Sequence, residues 1–105
     1  MRTKHIIVVT TYSKDVTGSE IIDALLAARL AACIQVFPIG SSYRWKGKIS
    51  KARESMMLIK AKSADFKAIR ETILEHHDYG VPEIISVRID RGFKGYLKWI
   101  DEVTR

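Results

Sequence analysis

Two segments of this chain are apolar at consecutive positions, and they limit the possible folds more than any other feature. Residues 6–9 read Ile-Ile-Val-Val and residues 56–59 read Met-Met-Leu-Ile. A strand with one face in water alternates apolar and polar side chains, so each segment predicts a central strand that is buried on both faces. Both faces of the resulting sheet must therefore be covered.

The patterns around these segments predict the element order β-α-β-β-α-β, followed by a short helix. We expect strands at residues 5–12, 33–43, 49–62 and 83–89. Thr17 and Glu20 form a capping-box pair for the first helix, and Ser13 is an earlier alternative cap. This helix is expected to begin between residues 14 and 18 and to end near residue 31 or 32.

The second helix is predicted to begin after Ser63 as its cap, with Asp65 in its first turn, and to end near His77. A turn follows at residues 78–82, and the final helix spans about residues 94–102. The predicted buried stripe of the second helix consists of Phe66, Ile69, Ile73 and Leu74.

This order is that of the ferredoxin-like α+β fold. Right-handed crossovers place both main helices on one face of an antiparallel sheet with strand order 4-1-3-2. Only one short helix is left for the second face, so we expect copies of the chain to cover it by self-association. With 105 residues, the chain is predicted to form a single domain over residues 1–105.

The second and third strands are predicted to form a basic hairpin. Pro38 has no amide hydrogen for a sheet ladder, so the second strand lies at an edge or contains a bulge there. Lys46-Gly47 predicts a tight turn, and the polar first half of residues 49–62 predicts an arm that projects from the sheet. The basic residues of this region are Arg44, Lys46, Lys48, Lys51, Arg53, Lys60 and Lys62, against the single acid Glu54.

The charge of the hairpin raises the question of nucleic-acid binding. Tyr43 and Trp45 beside these cations would suit stacking on bases. Lysines at a sheet edge also block unwanted sheet growth, and we expect no nucleic-acid partner. The single cysteine, Cys33, excludes an intramolecular disulfide, and no apolar stretch reaches signal-peptide or transmembrane length. We therefore expect a cytoplasmic protein with no membrane partner.

Five segments carry a family resemblance along almost the whole chain. They are Arg-Leu-Ala-Ala-Cys at residues 29–33, Pro38 with Ser-Tyr-Arg-Trp-Lys-Gly-Lys at 42–48, Leu-Ile-Lys at 58–60, His-His-Asp-Tyr-Gly-Val-Pro-Glu-Ile at 76–84, and Gly92 with Tyr-Leu-Lys-Trp-Ile at 96–100. By these segments the chain resembles the CutA family, the divalent-cation tolerance proteins.

The resemblance implies a homotrimer of ferredoxin-like subunits that acts in tolerance to copper and other divalent metals. Its sheets would pack around a threefold axis, and its hairpin arms would join neighbours. It implies an interface that includes Tyr43, Trp45, Pro82 and Trp99, and a cleft between subunits lined by Glu54, Lys60, Tyr79 and Glu83. In the other reading of the cleft residues, charged pairs among them fix the register of the trimer. The alternative is a signalling or scaffold trimer that binds a small ligand or a protein in such clefts, without metal.

His76 and His77 are the strongest candidates for binding copper or another divalent cation, because neutral imidazole suits these metals. Neighbouring residues on a helix point about 100° apart, so both reach one ion only where the helix has ended. Asp78 or Cys33 would complete the set. In the alternative reading, the two rings cap the helix C-terminus and Cys33 is a small buried hydrophobe. Thr10 stands about where some bacterial members of the family carry a copper-binding cysteine.

The sequence contains no complete catalytic motif. It lacks a phosphate-cradling glycine loop, a His-Glu-x-x-His helix and a nucleophile elbow. We therefore expect a role in binding or assembly and not an enzyme.

Overall fold

The computed structural model describes residues 4–105 and has the predicted ferredoxin-like order. Its elements are β1 (His5–Tyr12), α1 (Asp15–Ala27), β2 (Cys33–Trp45), β3 (Lys48–Lys62), a 3-10 turn (Ser63–Asp65), α2 (Phe66–His76), β4 (Ile84–Arg88) and α3 (Lys94–Val103). The four strands form one antiparallel sheet in the order β2-β3-β1-β4, which confirms the predicted strand order. The first three residues of the predicted domain lie outside the described part. None of the helices within residues 4–105 has the length and apolar character that a bilayer crossing needs.

Alternate side chains of β1 and β3 build the core between the sheet and the helices α1 and α2. Val8 of β1 and Met57 and Ile59 of β3 are completely buried there. They pack in one cluster with Ile21 of α1 and Ile73 of α2. Burying a side chain of this size stabilises the fold by about 1.5–3 kcal/mol, so this layer holds both helices on the sheet.

The opposite side of the sheet, which we call the open face, carries no main helix. Cross-strand partners lie on the same face, and the register places Val9 beside Leu58 and Ile85, and Ile7 beside Val87. Ile85 and Val87 remain 51% and 52% exposed. One chain therefore leaves apolar side chains in water on the open face, as the uninterrupted apolar segments predicted.

The helix α3 covers only one end of the open face. Its Asp101 carboxylate lies 2.9 Å from Nε2 of His5, the first residue of β1, and 3.1 Å from Nζ of Lys4, which precedes the strand. Ile100 of α3 is completely buried beneath it. This short helix is too small to shield the rest of the face, which confirms the expectation that most of it stays uncovered in one chain.

The predicted side-chain caps of α1 and α2 are absent. Lys14 occupies the N-cap of α1 without a side-chain hydrogen bond to the first turn. The hydroxyl of Thr17 instead donates to Asp78 Oδ1 at 3.3 Å. Ser63 begins the 3-10 turn and does not cap α2. The prediction that Leu74 is buried is also wrong, because its side chain is 50% exposed.

The helix α1 ends at Ala27, earlier than predicted. Arg29 adopts a φ of +57°, and the Leu30 amide then donates back to the Leu25 carbonyl at 3.0 Å. The Arg29 amide donates to Leu26, so the end is a Schellman motif. This turn returns Leu30 to the core, where it is buried, and the chain then enters β2.

β2 and β3 continue past the sheet as a two-stranded arm, residues 39–54. β1 pairs with β3 only over residues 55–62, whereas the β2–β3 register runs without a bulge from the start of β2 to the turn. Pro38 therefore lies on an edge strand and not at a bulge. Lys46 and Gly47, with φ of 49° and 76°, form the two-residue turn. The arm helps to make the molecule 44 Å long.

We predict that Thr10→Val raises the free energy of unfolding by about 1 kcal/mol. Thr10 is completely buried, and among the described residues its hydroxyl has no hydrogen-bond partner. Thr17→Val is the matched control, because this buried hydroxyl does donate a hydrogen bond and its loss should destabilise the fold. Urea unfolding at one fixed protein concentration measures both, and a destabilised Thr10→Val variant would contradict the prediction.

Candidate functional site

His77 follows α2 and turns its ring toward β1. Its Nε2 lies 2.7 Å from the Thr11 carbonyl oxygen, and its Nδ1 lies 3.1 Å from the Tyr79 amide nitrogen. A carbonyl only accepts and an amide only donates, so a neutral ring with its hydrogen on Nε2 satisfies both bonds. The side chain is completely buried. His77 therefore holds the loop of residues 77–83 against β1, and both of its nitrogens are occupied.

His76 points away from His77. Its side chain is 31% exposed, and its Nδ1 lies 3.8 Å from Glu20 Oε2 on α1. Because His76 is still helical and His77 is not, their rings diverge toward different elements. The two histidines do not converge on one point in a single chain.

The other two predicted metal ligands also have separate surroundings. Asp78 accepts a hydrogen bond from Thr17, and its second oxygen lies 3.6 Å from Lys14 Nζ. Cys33 begins β2, where it pairs with Lys60 of β3. Thr11, whose carbonyl contacts His77, pairs with Met56 of β3. Lys60 and Met56 are four residues apart, which is roughly 13 Å along the strand.

Cys33 and His77 therefore lie at opposite ends of the sheet. Within residues 4–105, no group of three or more His, Cys, Asp or Glu side chains lies close enough to hold a metal ion. One chain does not assemble the predicted ligand set.

A groove of about 680 Å³ lies on the open face, where the loop of residues 77–83 meets the base of the arm. Glu54, Tyr79 and Glu83 of the predicted cleft line it together, with Tyr43 and Trp45 from the arm. We call it the acidic groove. Lys60, the fourth predicted cleft residue, is not part of it, because its ammonium group donates to the Gln35 side chain near the other end of the sheet.

The hydroxyl of Tyr79 is the most connected group of the acidic groove. It lies 2.8 Å from Glu54 Oε1 and 2.9 Å from Ser13 Oγ. A carboxylate only accepts, so Tyr79 donates to Glu54 and accepts from Ser13. Burial raises the pKa of Tyr79 above 10.0, the Ser13 hydrogen bond lowers it, and the bond to Glu54 and its charge raise it further.

The four residues predicted for a subunit interface do not share one location. Tyr43 and Trp45 are exposed in the acidic groove, and Pro82 lies half-buried in the adjoining loop. Trp99 is on α3 near the other end of the sheet, with its ring 5.6 Å from that of Tyr96.

The segment at the start of α1 also contributes to this region, which the sequence pattern did not indicate. Ser13 binds Tyr79, while Thr17 and Lys14 both approach Asp78. The available signal was a pair of hydroxyl residues at a helix start, which we assigned to capping. Hydroxyl side chains at that place are typical of caps, and only the tertiary fold shows that the loop of residues 77–83 binds them instead.

The sequence matches a family and several of its members. The family model described as CutA1 divalent ion tolerance protein matches residues 6–103. The divalent-cation tolerance protein CutA of Archaeoglobus fulgidus is 44% identical over 78 residues, which cover 74% of this chain and 76% of that protein. A protein CutA homolog of Xenopus laevis is 37% identical over 94 residues, which cover 89% of this chain but only 62% of that protein.

The fold also matches a solved structure over nearly its whole length. A structure described as the periplasmic divalent cation tolerance protein CutA from Archaeoglobus fulgidus superposes with a TM-score of 0.91 at 37% identity. The match covers 94% of this chain and 97% of the other. The shared fold therefore extends over nearly the whole of both chains.

We predict that Tyr79 titrates above 10.0, the ordinary tyrosine value. Its neutral form is favoured in the folded state, so this contribution to stability is fully present below the unfolded pKa and is lost as pH rises through the folded pKa. The difference in phenolate absorbance between wild type and Tyr79→Phe during a pH titration measures the ionisation of Tyr79.

Two further variants test the causes of the raised pKa. Ser13→Ala should raise the titration midpoint further, and Glu54→Gln should lower it. A wild-type midpoint at or below 10.0 contradicts the assignment.

Proposed function

This chain belongs to the CutA1 divalent ion tolerance family, and we propose that it acts in the response to copper or another divalent cation as a homotrimer. The observation that carries the assembly is the open face. Ile85 lies half-exposed there beside the buried Val9, and Val87 lies half-exposed beside Ile7. Phe37 of the edge strand β2 adds a ring on the same side. Burying apolar area is favourable at about 25 cal/mol per Å², so packing open faces together stabilises each subunit.

The subunit number of three comes from the family resemblance. An isologous dimer would also cover an apolar face, but three sheets around an axis leave each arm, residues 39–54, free to reach a neighbour. The arm extends past β1 and offers unpaired strand edge for such a contact.

We predict that light scattering gives a mass three times the 12.0 kDa of one chain, and that Val87→Asp lowers it toward one chain. A carboxylate at this position would be buried by the assembly without a partner, which is strongly unfavourable. Leu74→Asp is the matched control, because Leu74 is equally exposed but lies on α2, on the other side of the sheet. Circular dichroism checks that both variants fold. A monomeric wild type, or an unchanged mass for Val87→Asp, contradicts this interface.

We propose that copper binds at the surface of the assembly through His76. His77 does not fit a ligand role in this conformation, because both of its nitrogens are hydrogen-bonded. His76 is partly exposed and has the Glu20 carboxylate beside it. Two donors from one chain make a weak site, and Asp78 or a Cys33 from another subunit would be needed to strengthen it.

We predict that His76→Ala weakens copper binding about tenfold or more, whereas His77→Ala leaves it nearly unchanged and lowers stability by about 1–3 kcal/mol. The second effect follows because the Thr11 carbonyl and the Tyr79 amide lose their partner. Calorimetric titration with Cu²⁺ measures the first effect, and urea unfolding measures the second. Copper binding that survives in His76→Ala but disappears in His77→Ala would reverse these roles.

The acidic groove supports a second candidate function. It has the volume of a small-molecule site and combines two carboxylates with aromatic side chains. In this reading the protein is a trimeric signalling or scaffold module that holds a small ligand or a protein segment without metal. A wild type that forms the trimer but gives no saturable copper isotherm favours this candidate over the first.

We further propose that the role is not catalytic and is carried out in the cytoplasm. Cys33 is a free thiol, which suits a reducing compartment. One solved relative is described as periplasmic, so fractionation of the source cells is the direct measurement.

A further inference from the structure

The arm separates its charges between its two faces. The register pairs Gly40 with Arg53 and Ser42 with Lys51, and cross-strand partners share a face. Glu54, one residue further along β3, lies on the opposite face and lines the acidic groove. The first face, which we call the basic face, comprises Gly40, Ser42, Arg44, Ile49, Lys51 and Arg53, and the apolar Ile49 near the turn is exposed.

A second groove, of about 690 Å³, lies along the arm between residues 38–42 and 51–53. Lys51 and Arg53 line it together with the hydroxyl residues Ser41 and Ser42. It is a wide, open groove along the surface of the hairpin. Because neighbouring residues of a strand point to opposite faces, the groove offers the two cations and the Ser42 hydroxyl to one ligand.

The cations of the basic face have no counter-charge within the part of the chain that the structure describes. None of the ion pairs among residues 4–105 involves Arg44, Lys51 or Arg53. Lys51 and Arg53 lie two residues apart on one strand, roughly 7 Å, and like charges on one face of a sheet repel. An anion from outside would remove this repulsion.

Gly40 provides an independent observation. Its φ is not positive, no bulge occurs at its place in the register, and an added Cβ would meet nothing within 4 Å. Neither the backbone nor the packing requires glycine here, although glycine weakens a strand interior. A strand glycine of this kind marks a place where a ligand or another backbone approaches closely.

We propose that the basic face binds a small ligand that carries two or more phosphate groups. The Arg53 guanidinium has the planar fork that binds one phosphate with two hydrogen bonds, and the Lys51 ammonium pairs with the next. The Ser42 hydroxyl donates a further bond, and the bare backbone at Gly40 lets the ligand lie close to the strand. This inference uses none of the residues of the proposed copper site or of the apolar open face. It does use the arm, for which we also propose contact with a neighbouring subunit, so the test below includes the oligomeric mass.

Calorimetric titration of the full chain with inorganic pyrophosphate tests the proposal. Lys51→Gln/Arg53→Gln should lower the affinity about tenfold or more. Lys67→Gln/Lys94→Gln is the matched control, because it removes the same charge from exposed positions on α2 and α3 and should change the affinity less than about twofold. An equal loss in both double variants means unspecific attraction and overturns the proposal.

Gly40→Val tests the glycine separately. The added side chain has room and suits a strand, so thermal unfolding should be unchanged or slightly raised while pyrophosphate affinity falls about tenfold. Undiminished binding in this variant, or no saturable binding by wild type, overturns the proposal. Tighter binding of a single-stranded oligonucleotide than of pyrophosphate also overturns it, in favour of nucleic acid. A changed oligomeric mass in Lys51→Gln/Arg53→Gln shows that a second copy occupies the face, with the same consequence.

Discussion

The sheet has apolar side chains on both faces, and the rest of the structure depends on this constraint. β1 lies between β3 and β4, so its side chains alternate between the helix layer and the open face. Val8 is completely buried under the helices, and Val9 is nearly as buried on the other side. The two main helices cover one face within the chain. The other face has only α3 at one end, and a further layer must come from outside.

The polar side chains of the loop after α2 hold backbone segments in place. His77 bonds the Thr11 carbonyl and the Tyr79 amide, and Asp78 bonds Thr17 at the start of α1. These contacts tie the loop after α2 to two elements and bring Tyr79 next to Glu54. In the sequence alone, His77 and Asp78 suggest a metal site. Their geometry shows instead how the loop that forms one wall of the acidic groove is positioned.

The sequence predicted the features that depend on local pattern. Apolar runs located β1 and β3, Lys46-Gly47 located the turn, and the order of elements led to the strand order. It did not predict the end of α1, because the left-handed residue there is Arg29, whereas glycine or asparagine is the usual signal. Nor could it show that His76 and His77 diverge or that Lys60 lies far from Glu54. Both facts depend on where the chain places segments that are distant in sequence.

The absence of a bulge between β2 and β3 has an evolutionary consequence. Side chains alternate with a strict period of two along both strands. A one-residue insertion in β3 at the base of the arm, unless a bulge absorbed it, would therefore exchange the sides of the β3 residues between it and the turn. Arg53 and Glu54 would then trade sides, and the carboxylate would leave the acidic groove. A change of length in this hairpin therefore preserves its two chemically different faces when it comes in an even step, lies at the tip or is absorbed by a bulge.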